Sequence, residues 1–221
     1  MRRLWFPILL GLAGVAVLCW LGLWQLQRLA SKEALLADIA ARIAAEPGPL
    51  PAALDPERDQ YRPVTVSGAL GGQEAHVLTS LPGRGPGFRV VSALTAGDRR
   101  ILVDLGFVSE EAKEAARTAE RVAIEGNLFW PPAASSAPPP DEGRGIWFAD
   151  DPEAMAAALG AEPVIVVARR VSPDLGTTPL PVSPASIRND HLGYAITWFG
   201  LAAVWAAMSL WLLHRTRASR A

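Results

Sequence analysis

Two long stretches of this chain carry no charged side chain, and they limit what the rest can do. One runs from Leu192 to Leu213, the other from Leu4 to Trp24. Each holds roughly 20 residues, the length at which a helix crosses a hydrocarbon core about 30 Å thick. The second stretch begins abruptly after Asn189-Asp190-His191. Asn189 or Asp190 is placed to cap a helix, which puts His191 in its first turn and near one membrane surface. The first stretch is longer than the apolar region of a signal peptide and ends without a small-x-small cleavage site, so it reads as an uncleaved anchor.

Charge then sets the orientation. Arg2 and Arg3 precede the first run; Arg215, Arg217 and Arg220 follow the second, and neither tail has an acid. The other 16 of the 21 basic residues face all 22 acids in the middle segment, a balance of −6. The positive-inside rule places both tails in the cytoplasm and the middle on the outer side. The expected domains are a first transmembrane helix with a short tail over 1–27, a periplasmic α+β domain over 28–190, a second transmembrane helix over 191–213 and a cytoplasmic tail over 214–221. No organellar leader precedes the first run, so the expected location is a bacterial inner membrane.

On a helical wheel His191, Tyr194, Ala195, Trp198, Ala202 and Trp205 share one face, and Gly193, Gly200 and Ala207 the opposite one. The first face pairs a possible metal ligand with three aromatic rings and two gaps left by alanine. A helix N-terminus disfavours imidazolium, which biases His191 to the neutral form that binds metal or haem iron. Alone, such a histidine reads first as an ordinary interfacial polar residue. In the first run Gly11, Gly14, Leu18, Gly22 and Gln25 share a face suited to close helix contact, with the Gly193/Gly200 face as its expected partner. Trp24 is expected to anchor at the interface, with Arg28 and Lys32 as a basic stripe toward lipid phosphate or an anionic partner.

Helical periodicity continues from Glu33 to Ala45 and ends at Pro47-Gly48-Pro49. Short strands are predicted at Tyr61–Ser67, Ala75–Leu81, Phe88–Leu94, Arg100–Val108, Val122–Phe129 and Pro163–Val171, the last the best candidate for a buried strand. Ser109 is placed to cap a helix from Glu110 to Ala119. Asp151 and Pro152 read as cap and first residue of a helix ending at Leu159. Pro131 to Gly145, rich in Pro, Ala and Ser, reads as a loop. The resulting fold class is two transmembrane α-helices flanking an α+β, mainly antiparallel β, extramembrane domain.

Several functions have no support. Cys19 is the sole cysteine, so there is no internal disulfide and no Cys-x-x-Cys for copper or zinc. Gly83, Gly85 and Gly87 lack the Gly-Lys-Ser/Thr ending of a phosphate loop. No basic patch with interleaved aromatics suggests nucleic acid. His76, His191 and His214 lie in different zones, and Asp104 and Asp150 stand beside turns, where acids are usually structural. No nucleophile constellation is visible, and the expectation is a protein that is not an enzyme.

Five separated runs together resemble the surfeit locus protein 1 family. They are Gly22-x-Trp24-Gln25-x-x-Arg28-x-x-x-Lys32; Tyr61-Arg62-Pro63-Val64-x-Val66-x-Gly68; Leu102-Val103-Asp104-x-Gly106-Phe107-Val108; Ile146-Trp147-Phe148-x-Asp150; and Asn189-Asp190-His191-Leu192-Gly193-Tyr194-Ala195-Ile196-Thr197-Trp198-Phe199. The third departs from the family at Leu105, where arginine is more usual. The resemblance implies an assembly factor for cytochrome c oxidase that binds haem a and assists its insertion into oxidase subunit I. It makes His191 the candidate axial ligand. Beside it, Tyr194 and Trp198 would stack on the macrocycle, and Arg188 or Arg28, flanked by Trp24, would meet its propionates. Expected partners are subunit I, haem a synthase and membrane lipid. The alternative is a cofactor-free scaffold whose aromatic face stabilises an assembly intermediate. A third class, an anchored sensor, would need a charged pocket in the outer domain.

Overall fold

The computed structural model describes residues 5–131, 138–141 and 143–218. Arg2, Arg3 and Arg220 of the basic tails, and much of the Pro131–Gly145 loop, lie outside the described residues. The chain divides into two compact units: the residues up to Asp38 with those from Pro184 onward, and Ile39–Ser183. The long helix α1 (Trp5–Ala44) begins in the first unit and ends in the second.

The second unit is built on a closed barrel. After the short strand β1 (Gly48–Pro49) and the single turn α2 (Pro56–Asp59) come β2 (Pro63–Leu81), β3 (Gly85–Ala96), β4 (Arg99–Ser109) and β5 (Thr118–Phe129). They are followed by β6 (Ile146–Trp147), α3 (Pro152–Leu159) and β7 (Glu162–Ser172). The order is β2-β3-β4-β7-β5, and β5 pairs back onto β2. Closure is possible because β2 spans two of the predicted strands and bends between them. Its first half pairs with β5, from Pro63 opposite Asn127 to Gly71 opposite Thr118. Its second half pairs with β3, out to Leu81 opposite Gly85. The register shifts between Leu70 and Glu74, where Gly72 has a φ of 80° that a side chain would resist.

The sheet is mixed, which corrects the mainly antiparallel expectation. β4 and β7 run parallel, Leu102 opposite Ile165 and Val103 opposite Val166, and β1 and β6 are each parallel to β2. Residues of β4 and β7 are buried on both faces. Ile101, Val103, Leu105, Val164, Val166 and Ala168 fill the barrel. Leu102, Ile165 and Val167 lie outside it with Met155, Ala156 and Leu159 of α3. A two-sided core accounts for the unbroken apolar run of Val164–Val167. Each fully buried aliphatic side chain here contributes about 1.5–3 kcal/mol.

Local chemistry decides two helices differently. Asp151 accepts a hydrogen bond from the Ala154 N–H at 3.0 Å, Pro152 opens α3, and Gly160 closes it at a φ of 63°, as the sequence indicates. The helix expected from Glu110 to Ala119 does not form; a 3-10 turn covers only Glu110–Ala112. Arg117 is the reason. Its buried guanidinium donates to the carbonyls of Ala112, Lys113 and Ala115, groups that a continuing helix would bond through its own amides. Thr118 and Ala119 are meanwhile drawn into the ladder with β2.

Candidate functional site

The candidate residues gather in the first unit. α4 (His191–Ala218) and the N-terminal part of α1 are both long and apolar enough to cross a membrane. They pack along one seam. In α4 the facing positions are His191, Ala195, Phe199, Ala202, Trp205 and Ser209. In α1 they are Gly11, Gly14, Gly22 and Gln25. A β-carbon on Gly14 would lie 2.2 Å from Nε1 of Trp205, one on Gly22 2.7 Å from the Phe199 ring, and one on Gly11 3.0 Å from the Ser209 hydroxyl. Glycine is therefore required for this approach, as small residues commonly are between membrane helices.

This corrects the expected pairing. Gly193 and Gly200 meet nothing within 4 Å among the described residues, so their face points away from α1. The face that packs is the one carrying His191. The two alanine gaps consequently do not exist as open space: Ala195 is 1% and Ala202 5% exposed, covered by the seam.

At one end of the seam the imidazole Nδ1 of His191 and the amide Oε1 of Gln25 lie 2.8 Å apart, 166 residues from each other in sequence. Gln25 is 8% exposed and, among the described residues, is the one buried polar side chain of α1, whereas His191 is half-buried. Asp190 supplies the carbonyl that accepts the Tyr194 N–H at 3.2 Å, which places it at the helix cap, while its carboxylate pairs with Arg188. Tyr194 is 55% exposed and Trp198 half-buried. The Arg28 guanidinium stands 5.5 Å from the centroid of the Trp24 ring. The structure thus brings His191 to Gln25 and Arg28 to Trp24. Arg188, bonded to Asp190, is exposed.

Two polar clusters of the barrel unit contain residues singled out in the sequence. Arg89 donates from Nε to Asp104 Oδ2 at 2.8 Å, from Nη2 to the same oxygen, and from Nη1 to Asp150 at 2.8 Å. Asp104 also accepts the Gly106 N–H at 2.9 Å. Burial alone would lower the Arg89 pKa, but the two carboxylates hold it above its ordinary value. Gly106 is held at a φ of 106° with the Thr178 carbonyl 2.1 Å from where a β-carbon would be, so this motif ties β3, β4 and the returning chain together. In the second cluster Glu74 bridges Arg117 at 2.7 Å and His76 Nε2 at 3.1 Å. His76 is thereby a strand histidine with its polar partner in place. Among the described residues no group of three or more His, Cys, Asp or Glu is arranged to hold a metal ion.

Sequence reasoning placed Gln25 on the close-packing face but did not pair it with His191. The available signal was a lone amide among glycines, at the end of the first span that antiparallel packing would bring to the start of the second.

A barrel unit between two span-length helices, with a histidine at the start of one bonded to a buried amide of the other, defines a class: a two-helix protein of the kind membranes anchor. The SURF1 family model matches residues 12–203, and the chain belongs to that family. It is similar to surfeit locus protein 1 of Homo sapiens, 31% identical over 86% of this chain and 71% of the human protein. It is 32% identical to the Gallus gallus protein of that name over 86% of this chain and 69% of the relative. The SURF1-like protein of Monosiga brevicollis is 31% identical over 87% of this chain and 82% of its own length. Membership implies a role in cytochrome c oxidase assembly.

Proposed function

We propose that this protein binds haem a on its helix hairpin and assists its insertion into oxidase subunit I, without itself being an enzyme. The observation that carries the reading is His191. It opens α4, is half-buried, is fixed through Nδ1, and has no bonding partner at Nε2 among the described residues. An imidazole nitrogen with an available lone pair is what haem iron takes as an axial ligand. His191 therefore fits the group, but the cleft anticipated beside Ala195 and Ala202 does not, because α1 fills it. The macrocycle would lie against the outer side of α4, with Tyr194 and Trp198 available to its face and Arg28 or Arg188 to its propionates. Haem supplies the redox-active iron; the chain's part is to bind, orient and release it. The arginine-bearing tails support an inner-membrane hairpin with both termini in the cytoplasm and the barrel in the periplasm. Haem a synthase would be the partner on the supply side, and lipid would cover the remaining hairpin surface.

The test is co-expression with the haem a biosynthetic enzymes, purification in detergent and a visible spectrum. The expected result is a haem a Soret band that His191→Ala loses while the far-ultraviolet circular dichroism is unaltered. One observation favours a second reading. The packed alanines and the exposed Tyr194, Trp205 and Trp211 also suit a cofactor-free scaffold for subunit I helices. A colourless preparation that co-purifies with subunit I would decide for it.

A further inference from the structure

We propose that Gln25 is a positioning residue for His191: its amide oxygen fixes the imidazole proton on Nδ1 and leaves the lone pair on Nε2, facing away from α1. The purpose of this arrangement rests on the haem reading above; its geometry does not. The contact joins Nδ1 of His191 to Oε1 of Gln25 at 2.8 Å. A carboxamide oxygen has lone pairs and no hydrogen, so the shared hydrogen belongs to the ring and Nδ1–H donates. In a neutral imidazole one nitrogen carries the proton and the other the lone pair, and the bond made by one sets the role of the other. The two nitrogens lie on different sides of the ring, so an Nδ1 turned to Gln25 turns Nε2 from it.

Three further observations make Gln25 a rigid support. Gln25 is 8% exposed, which shields the amide side of the contact from water. It lies three residues after Gly22, whose missing side chain brings the Phe199 ring down on α1 and holds the two helices at this separation. No other hydrogen bond to the His191 ring is made by any described residue, so no second partner selects the opposite tautomer. The chain thus carries, within the hairpin, the outer partner that metal-ligating histidines ordinarily have. A leucine here would pack as well in an apolar seam, which is why an amide at this place points to the ring it touches.

The experiment uses the full chain in detergent micelles, with histidine labelled with nitrogen-15. Ring tautomers are read from long-range proton–nitrogen correlations, and the His191 signals are assigned by their absence in His191→Ala. The wild type is expected to show a protonated Nδ1 and a bare Nε2. Gln25→Glu, which keeps an oxygen acceptor in place, is expected to preserve that pattern, and Gln25→Leu to shift the proton toward Nε2. In a parallel titration with haemin, Gln25→Leu is expected to bind roughly 10–100-fold more weakly than wild type, the loss typical when an outer partner of a ligating histidine is removed. Gln25→Glu is expected to bind within a few-fold of wild type. A wild-type spectrum with the proton on Nε2 overturns the proposal without recourse to any variant, as does a Gln25→Leu spectrum identical to wild type. Haemin binding that survives His191→Ala instead defeats the axial-ligand reading, while the ring spectrum still decides the Gln25 assignment.

Discussion

The barrel and the hairpin treat polar side chains in opposite ways. In the barrel unit the ionisable groups that are withdrawn from water are collected in clusters. Asp104 is 1% exposed and shares Arg89 with Asp150, Glu74 joins Arg117 to His76, and Asp59 receives Arg58, Arg62 and the Asp55 amide. In the hairpin the packed seam is glycine, alanine and aromatic rings, with one amide–imidazole contact at its end. Clusters of mutually bonded groups hold a fold in place, with Glu74 Oε1, Arg117 Nε and Asp150 Oδ1 the buried atoms in them that keep capacity for a further partner. A single ring held at one nitrogen has that capacity. The difference supports the hairpin as the candidate site.

The comparison can be broken at its strongest point. Replacing Asp104 with alanine withdraws the acceptor of two Arg89 bonds and of the buried Gly106 amide; the expected cost is about 3–5 kcal/mol, the range for breaking a buried pair from one side. Hydrogen–deuterium exchange in detergent should show the loss across β3 and β4 while α4 keeps its protection. Loss of protection in α4 as well would mean that the two units do not have separate stabilities.

The reverse break is Gly14→Leu, which forces the Trp205 ring off α1. We expect a cost of roughly 1–3 kcal/mol confined to the hairpin. A red shift in tryptophan emission and weaker haemin binding should accompany unchanged exchange in the barrel.

The comparison is sharpened by pH. The Arg58 guanidinium, with help from the Asp55 amide and Arg62, holds the Asp59 carboxyl well below the usual carboxylate range. A depressed pKa stabilises the fold above the unfolded value, near 4, and that contribution is lost as pH falls toward the folded value. Asp59→Asn should therefore lower the barrel's urea midpoint at pH 7, by roughly 1–3 kcal/mol of stability. The gap from wild type should narrow below about pH 4; a gap that stayed constant down to pH 2 would contradict the assignment.

Smaller still, Asp151→Ala removes the α3 cap and should cost about 1 kcal/mol in thermal unfolding. Arg188→Ala breaks only an exposed pair and should shift stability by less than about 1 kcal/mol, so any marked fall in haemin affinity there would mark it as a ligand contact.

What the sequence disclosed was mostly local. The two spans, the Asp151-Pro152 helix start and the apolar run of β7 each depend on neighbours within a few residues. His191 was legible because a histidine at the threshold of an apolar run is conspicuous. The rest depended on distant partners. The parallel pairing of Leu102 with Ile165 joins residues 63 apart in sequence, and nothing in either strand announces its direction. The helix expected after Ser109 had acceptable local residues and lost to a buried arginine whose carbonyl contacts no propensity contains. The wheel for α4 correctly grouped His191, Ala195 and Ala202, but small side chains on a face mean either an opening or a neighbour. The glycines of α1 decided for the neighbour.

The seam also has a mechanical side. Gly22 receives Phe199, Gly14 receives Trp205 and Gly11 receives Ser209, and these notches are unevenly spaced along α1. Sliding one helix past the other by a turn, about 5.4 Å, would drive an aromatic ring into a residue that has a side chain and would carry His191 away from Gln25. The hairpin therefore works like a key cut to one depth. Its two helices engage fully in one register, and that register sets the imidazole opposite Gln25.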